Sequence, residues 1–327
     1  MEFNKMKKIL ITGASGFVGS ALIKELQKCG HVVRGAIRKK NASLAYKSKV
    51  DYVFIDDINA FTEWSNALSG IDTIIHCAAL SNINKLTDRD TLSKYREVNV
   101  SGTKRLAEQA VKLDVRRIIL LSTVKVYGEF TVESKKFSKD DQIAPKSEYG
   151  ISKYEAEEVL KQVSAKTDLE VVIVRSPIVY GAGTTGNFLR LMNLIKSRVP
   201  IPLNSIQNKR SFIGIDNLVD FLIVCNNETS AAGQTFLISD NQDLSTTEVI
   251  HKIAIQMGKK PLLFSVPIFI LKAIGYILRK STDIDRLISS LQIDINHTCK
   301  ILKWTPPFSV EDGFKKMVDS YIEKQGK

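Results

Sequence analysis

The chain has 327 residues, 44% hydrophobic and 25% charged, with 8 prolines and 18 glycines; this balance excludes intrinsic disorder and fibrous repeats and predicts about two domains, or one with an appended lobe. Lysine and arginine number 47 against 35 acidic residues, a formal charge of +12, so nucleic acid, an anionic membrane and a phosphorylated small molecule are the partners to weigh. Cys29, Cys77, Cys225 and Cys299 lie far apart without paired spacing, which argues against a zinc knuckle or a disulfide framework and suits a reducing compartment.

The stretch MEFNKMKKIL carries basic residues, but its apolar run ends at Thr12 in a glycine-rich turn. That is not a secretory leader, and a cytoplasmic protein is expected. Short β-branched runs predict strands at Lys8 to Thr12, Val32 to Ile37, Tyr52 to Ile55, Thr73 to His76, Arg117 to Ser122 and Glu170 to Arg175. Helical patterns fall between them at Phe17 to Cys29, Trp64 to Leu68, Thr91 to Leu113 and Glu148 to Lys166. Six strands alternating with helices predict an α/β fold with a Rossmann-type doubly wound parallel sheet. Beyond Arg175 the alternation loosens, with helices expected at Phe188 to Ser197, Asn217 to Asn226, Thr246 to Gln256, Pro267 to Leu278 and Val310 to Lys324. A smaller mixed α/β C-terminal substrate lobe is expected over residues 181–327, after a dinucleotide domain over 1–180, with the division not required to be continuous in sequence. The apolar stretch Val266 to Leu278 is interrupted by Lys272 and falls short of the roughly 20 residues that span a bilayer. No stable membrane insertion is expected; a core helix or a cover for the lobe is preferred to a membrane-surface contact.

In KILITGASGFVGS, residues 8–20, Gly13, Gly16 and Gly19 recur between a strand and an amphipathic helix. They allow a tight turn, close backbone approach of a pyrophosphate, and close helix packing. Ser15, Phe17 and Val18 offer amides at the helix N-terminus. At the end of the second strand, where a carboxylate would select the NAD ribose, stand Ile37 and then Arg38, Lys39 and Lys40. A guanidinium suits a 2′-phosphate, so NADP(H) is expected in preference to NAD(H). Asp57 and Ile58, just after the third strand, are placed to meet an adenine edge. Tyr149 and Lys153, in SEYGISKYEAEEVL, share one helix face. The ammonium is expected to draw the phenol pKa toward neutrality. Ser122 and Thr123 end the fifth strand in LLSTVKVYG and offer a hydroxyl to a reacting oxygen.

With HCAAL at 76–80, NVSGT at 99–103, VYG at 126–128 and RSPIVYG at 175–181, these motifs resemble the extended short-chain dehydrogenase/reductase family, in its nucleotide-sugar epimerase/dehydratase branch, over essentially the whole chain. The resemblance implies that Gly13, Gly16 and Gly19 hold the cofactor pyrophosphate, with Ala78 and Pro177 beside the cofactor. It implies Thr123 as catalytic hydroxyl, Tyr149 as acid/base, and Lys153 as its activator and the holder of the nicotinamide ribose. His76 looks like a scaffold residue, and no metal site is expected. The resemblance also implies a UDP-sugar substrate, with Ser81 and Asn187 near it and Arg210, in KRSFIGIDNLVD, clamping the diphosphate. Arg286 is a looser match, since its spacing to Asp294 departs from the better-known epimerases. A homodimer built on the helices at Thr91 to Leu113 and Glu148 to Lys166 is the family's habit.

Three outcomes of oxidation at C4 of the sugar are open. A 4,6-dehydratase typically has Asp-Glu after the catalytic hydroxyl, whereas this chain has Val124 and Lys125. Some UDP-glucose 4-epimerases carry lysine where this chain has Ser81, and the ribose carboxylate is missing here. NKRSFIGIDNLVD and RLISSLQID resemble the group containing UDP-N-acetyl-quinovosamine 4-dehydrogenases. That implies NADPH-dependent reduction of a UDP-4-keto-6-deoxy-N-acetylhexosamine for surface polysaccharide, expected ahead of epimerisation on Ile37 and Arg38. A non-catalytic NADP-binding or RNA-associated module is the reading from a different class. The intact Thr123, Tyr149 and Lys153 stand against it, as does the lack of a basic run interleaved with aromatics, so no nucleic acid partner is expected.

Overall fold

A computed structural model describes residues 6–38, 50–81, 90–132 and 135–325. The chain begins with β1 (Lys8–Thr12), α1 (Phe17–Lys28), β2 (Val32–Arg38), β3 (Asp51–Ile55), α2 (Ser65–Leu68) and β4 (Thr73–His76). Next come α3 (Thr91–Arg96), α4 (Gly102–Lys112), β5 (Arg117–Thr123), α5 (Glu148–Ser164) and β6 (Glu170–Ser176). The strands read as nearly unbroken apolar runs because helices cover both faces of the sheet. In β1 the two-residue period sends Ile9 and Ile11 to one side and Leu10 to the other, and all three are fully buried. α1 packs on the first face through Leu22 and Leu26. α4 and α5 cover the second through Leu106, Ala110, Ala156 and Leu160.

With β9 (Thr235–Leu237) the order is β3-β2-β1-β4-β5-β6-β9, and every pairing is parallel. The chain leaves the β3 edge and returns beside β1 as β4, so the order reverses between β1 and β4. The crevice beyond the carboxyl ends of those two strands is where such a sheet receives a ligand.

The seventh strand, β9 (Thr235–Leu237), was not among the six expected, and it comes from well beyond residue 180. α7 (Ile215–Asn227) also returns to the sheet, burying Leu218, Phe221 and Leu222 on the α1 face. A cut after residue 180 therefore does not separate the sheet from the rest; two apolar elements of the second half complete it. Around them, β7 (Ile178–Tyr180) and β8 (Phe212–Gly214) form a two-stranded parallel sheet. With α6 (Asn187–Lys196), α8 (Thr246–Gln256) and α12 (Val310–Gln325) they enclose another core, centred on Tyr180, Phe188, Ile250 and Phe314.

Two further expectations need correction. The helix expected over Thr91 to Leu113 is interrupted by a π-helical turn at Glu97–Ser101. The apolar stretch near 267–278 forms α9 (Ile268–Ile277), but it is no core helix: only Leu271 and Gly275 are buried. α10 (Ser281–Ile288) and α11 (Asn296–Leu302) follow it.

Candidate active site

The loop after β1 turns at Gly13, whose φ of +68° lies in the left-handed region. A Cβ there would stand 2.9 Å from the backbone nitrogen of Ala78. At Gly19 a Cβ would come within 2.3 Å of the Gly13 carbonyl oxygen. The three glycines thus let α1 press against the loop and the loop press against β4. Thr12 Oγ1 accepts from the Ala78 amide at 3.2 Å and lies 2.7 Å from His76 Nδ1. Thr103 Oγ1 lies 3.0 Å from His76 Nε2. Burial lowers His76 to about 3, helped by the charge of Lys153, so at neutral pH the ring is an uncharged tie between β1, β4 and α4.

A cleft of about 450 Å³ opens above this junction. Gly13, Ser15, Gly16, Ile37, Arg38, Asp57, Ile58 and Ala78 all line it, so the expected cofactor residues of four separate segments meet in one place. Phe17, Val18 and Gly19 form the first turn of α1 beneath it. At the mouth Arg38 Nη1 donates to Asp57 Oδ1 at 3.2 Å, with both side chains largely exposed. Lys39 and Lys40 lie outside the described residues. Pro177 is buried between β6 and β7.

α5 begins where Ser147 Oγ accepts from the Gly150 amide at 3.3 Å. Gly150 is needed there, because a Cβ would stand 2.9 Å from the Lys125 carbonyl oxygen. That contact brings the start of α5 against the loop that follows Thr123, which is buried. Tyr149 faces Tyr95 with ring centroids 6.1 Å apart. Lys153 is only 1% exposed.

The expected drop in the Tyr149 pKa is absent. Burial pushes the phenol up to about 12, and Tyr95 adds to the rise. Burial also brings the Lys153 ammonium from 10.5 down to about 8, against the pull of Glu157 and Cys77. Lys153 is still mostly charged at neutral pH, but burial and Tyr95, not the ammonium, set the phenol's pKa. The lowered lysine pKa carries a stability consequence. Below about pH 8 both folded and unfolded chains hold the proton, and the fold bears the burden of a buried ammonium. Between about 8 and 10.5 only the unfolded chain holds it, so stability rises with pH through that window. Lys153→Met is expected to stabilise the fold by about 3 kcal/mol at neutral pH, and by little at pH 10.5. Urea unfolding at the two pH values checks this.

Beyond β5 lies a charged cluster. Lys125 Nζ sits 3.1 Å from Glu129, and Arg286 Nε 3.8 Å from the same carboxylate. Burial opposes the Glu129 charge, yet the Ser147 hydroxyl and the two cations hold its pKa below the usual range. Arg210 is buried and donates to the carbonyls of Arg286 and Ser289 at 3.0 and 2.9 Å. Burial lowers it to about 10, in spite of Glu129. The structure thus brings Arg210 and Arg286 together. Ser81 is exposed, its carbonyl accepting from Tyr95 Oη at 3.4 Å, and Asn187 is exposed at the start of α6. Among the described contacts neither joins the cluster.

Sequence reasoning missed four contributors. Lys125 was noted only for what it replaces, and Glu129 not at all; the sign to look for was a second charge on the segment leaving the Thr123 strand. Asn99, in the π-helical turn, is buried and donates to the Leu80 carbonyl and to Ser152 Oγ, both at 3.0 Å, while its Oδ1 accepts from the Leu80 amide at 2.8 Å. It ties the cleft wall to the Tyr149 helix, and a lone asparagine inside an amphipathic helix was its signal. Glu157, one turn beyond Lys153, is fully buried against Arg175 and accepts from Ser122 Oγ at 2.5 Å.

Residues 9–239 match the NAD dependent epimerase/dehydratase family. A UDP-glucose 4-epimerase of Vibrio cholerae is 40% identical over 97% of this chain and 96% of its own. A dTDP-4-dehydro-6-deoxyglucose reductase of Escherichia coli is 27% identical over 95% of this chain and 96% of its own. The crystal structure of a UDP-glucuronic acid 4-epimerase from Bacillus cereus, in complex with UDP-glucuronic acid and NAD, is similar with a TM-score of 0.78 at 23% identity, covering 97% of this chain and 99% of that one.

Proposed function

The chain belongs to the NAD dependent epimerase/dehydratase family and is an enzyme, and from that premise we propose that it carries out oxidoreduction at C4 of a UDP-sugar. The observation that carries this reading is the glycine-turn cleft at the reversal of strand order, whose wall at Leu80 is tied through Asn99 to Ser152 of the helix that carries Tyr149 and Lys153. The residues suit a dinucleotide: Gly13, Ser15 and Gly16 of the turn line the cleft together with Ala78, directly before the N-terminus of α1. The amides of α1 face the cleft with the positive end of a helix dipole. When bound, the nicotinamide supplies hydride exchange with the sugar carbon. The proton falls to the chain. Tyr149, protonated at neutral pH, stands ready to donate to a C4 carbonyl oxygen, with Thr123 as a second hydroxyl partner for that oxygen. Lys153 orients the ribose and, while charged, favours the phenolate required in the opposite direction. Lys125, Arg210 and Arg286, partly balanced by Glu129, give a surplus of positive charge suited to a diphosphate. On this reading the sugar nucleotide binds between the sheet and the lobe of the second half.

Epimerisation is the outcome favoured by likeness to the Vibrio cholerae relative. Net reduction of a 4-keto sugar is the second reading, favoured by Ile37 and Arg38 at the end of β2. Candidate UDP-sugars are supplied with NAD, NADP or their reduced forms, reduced nicotinamide is followed by near-ultraviolet absorbance, and the sugar products are analysed. Inversion at C4 without net cofactor turnover supports epimerisation; stoichiometric consumption of NADPH supports reduction. Neither change with any UDP-sugar sinks the proposal. The Arg38–Asp57 pair is exposed and holds its partners by about 0–1 kcal/mol, so Arg38 is free to turn to a 2′-phosphate. Arg38→Ala is expected to raise the KM for NADP(H) about tenfold, the value of one charge-assisted contact, and to leave the KM for NAD(H) within twofold; steady-state kinetics with both cofactors check it.

A further inference from the structure

α9 reads IFILKAIGYI. A helix lying on a protein surface ordinarily turns a polar face to water. Here the inward stripe is Leu271, which joins the lobe core, and Gly275, approached so closely by Ile284 of α10 that a Cβ would stand 2.7 Å from its Cγ1. The outward positions are apolar too: Phe269 is 72% exposed, Tyr276 80%, Ile277 76% and Leu278 61%. Arg279 turns the chain with a φ of +54°, and α10 folds back as the second arm of a hairpin. Between the arms runs a groove of about 410 Å³ lined by Lys272, Tyr276, Ser281 and Asp285. Cations surround the apolar face: residues 259–286 hold six lysines and arginines against Asp283 and Asp285. Lys260, Lys272, Arg279 and Lys280 are exposed.

We propose that the α9–α10 hairpin docks this protein on an anionic lipid bilayer. α9 lies in the headgroup plane, Phe269, Ile277 and Leu278 enter the acyl boundary, and the basic residues meet lipid phosphates. No helix among the described residues is long and apolar enough to cross a membrane, so the contact rests on the surface. Lys272 can extend its ammonium from the apolar face to the phosphates, and Tyr276 places a ring with a polar tip at the interface. Charge decides between a bilayer and a second copy of the chain. A two-fold contact through this face would set its cations against their own copies, whereas an anionic surface is their complement. α10 also carries Arg286, whose carbonyl is bonded to Arg210, so docking occurs on the side of the charged cluster.

The test uses the full chain without substrate, so its result is independent of the reaction proposed above. Protein is sedimented with vesicles of phosphatidylcholine, alone or mixed with phosphatidylglycerol. Binding is expected to the mixed vesicles and to weaken with salt. Lys272→Gln and Lys280→Gln are each expected to reduce partitioning about fivefold, and Phe269→Ser with Ile277→Ser to abolish it, all with unchanged circular dichroism. Should the serine variant misfold, Tyr276→Trp gives an independent reading: its fluorescence shifts to the blue on mixed vesicles. Absence of binding to mixed vesicles at low salt, or binding untouched by these changes, overturns the proposal. So does a serine variant that alters sedimentation in ultracentrifugation while no form binds vesicles, which would assign the face to a second copy.

Discussion

Tyr149→Phe is expected to lower turnover on a UDP-sugar by about 10²–10⁴-fold, the range for losing a positioned proton donor, while cofactor affinity stays within a few-fold. The split follows from position. The phenol stands on the α5 helix, against Tyr95, whereas the cleft that suits the cofactor is lined by the β1, β2, β3 and β4 loops. Removing one oxygen leaves the ring, its packing and the Ser147 cap in place. Single-turnover absorbance and a cofactor titration separate the two effects; unchanged turnover would refute the role given to Tyr149.

Breaking the buried ion pair behind that helix should produce the largest loss of stability. Glu157 is fully buried, and Arg175, 3% exposed, reaches it with Nη2 at 2.6 Å and Nε at 3.1 and 3.2 Å. Arg175 also donates to Tyr127 Oη and lies 4.8 Å from that ring's centroid. Glu157→Ala strands a guanidinium in the core and is expected to lose about 3–5 kcal/mol. Replacing both partners, Glu157→Leu with Arg175→Met, should recover most of that, because the guanidinium is no longer stranded in the core. Urea unfolding of the three variants checks both statements; a single variant within 1 kcal/mol of wild type, on the scale of an exposed pair, would show that the pair carries no such weight. Glu157 also supports the Lys153 charge, so its loss moves that ammonium still further below 10.5.

The sheet was legible in sequence wherever a strand had both faces buried. β1 and β4 match the expected Lys8 to Thr12 and Thr73 to His76 to the residue. β7, β8 and β9 are three residues each, too short for a periodic pattern to rise above the helices around them. The α3–α4 break was hidden because a π-helical turn keeps the apolar spacing nearly in phase while adding a residue. Glycine spacing and the Tyr149–Lys153 step could be read directly, since each is a local rule. The Glu129–Arg286 contact and the Glu157–Arg175 pair could not, because their partners are brought together by the tertiary fold. α9 shows a different limit: hydropathy identifies a side chain that prefers to leave water, but not whether the rest of the same chain is there to cover it.

Arg117, at the first position of β5, is 2% exposed and donates through Nη1 to the carbonyls of Cys225, Asn226 and Glu228 at 2.6, 3.2 and 2.8 Å. Those are the unpaired oxygens at the end of α7. During synthesis the arginine therefore emerges more than a hundred residues ahead of its acceptors. Until α7 and β9 arrive, β6 is an open edge of the kind that pairs with other chains, and the α1 face of the sheet lacks Leu218, Phe221 and Leu222. A nascent chain stalled at residue 180 would thus carry its glycine turn and its Tyr149 helix and still be a sticky, unfinished sheet, a natural substrate for chaperones.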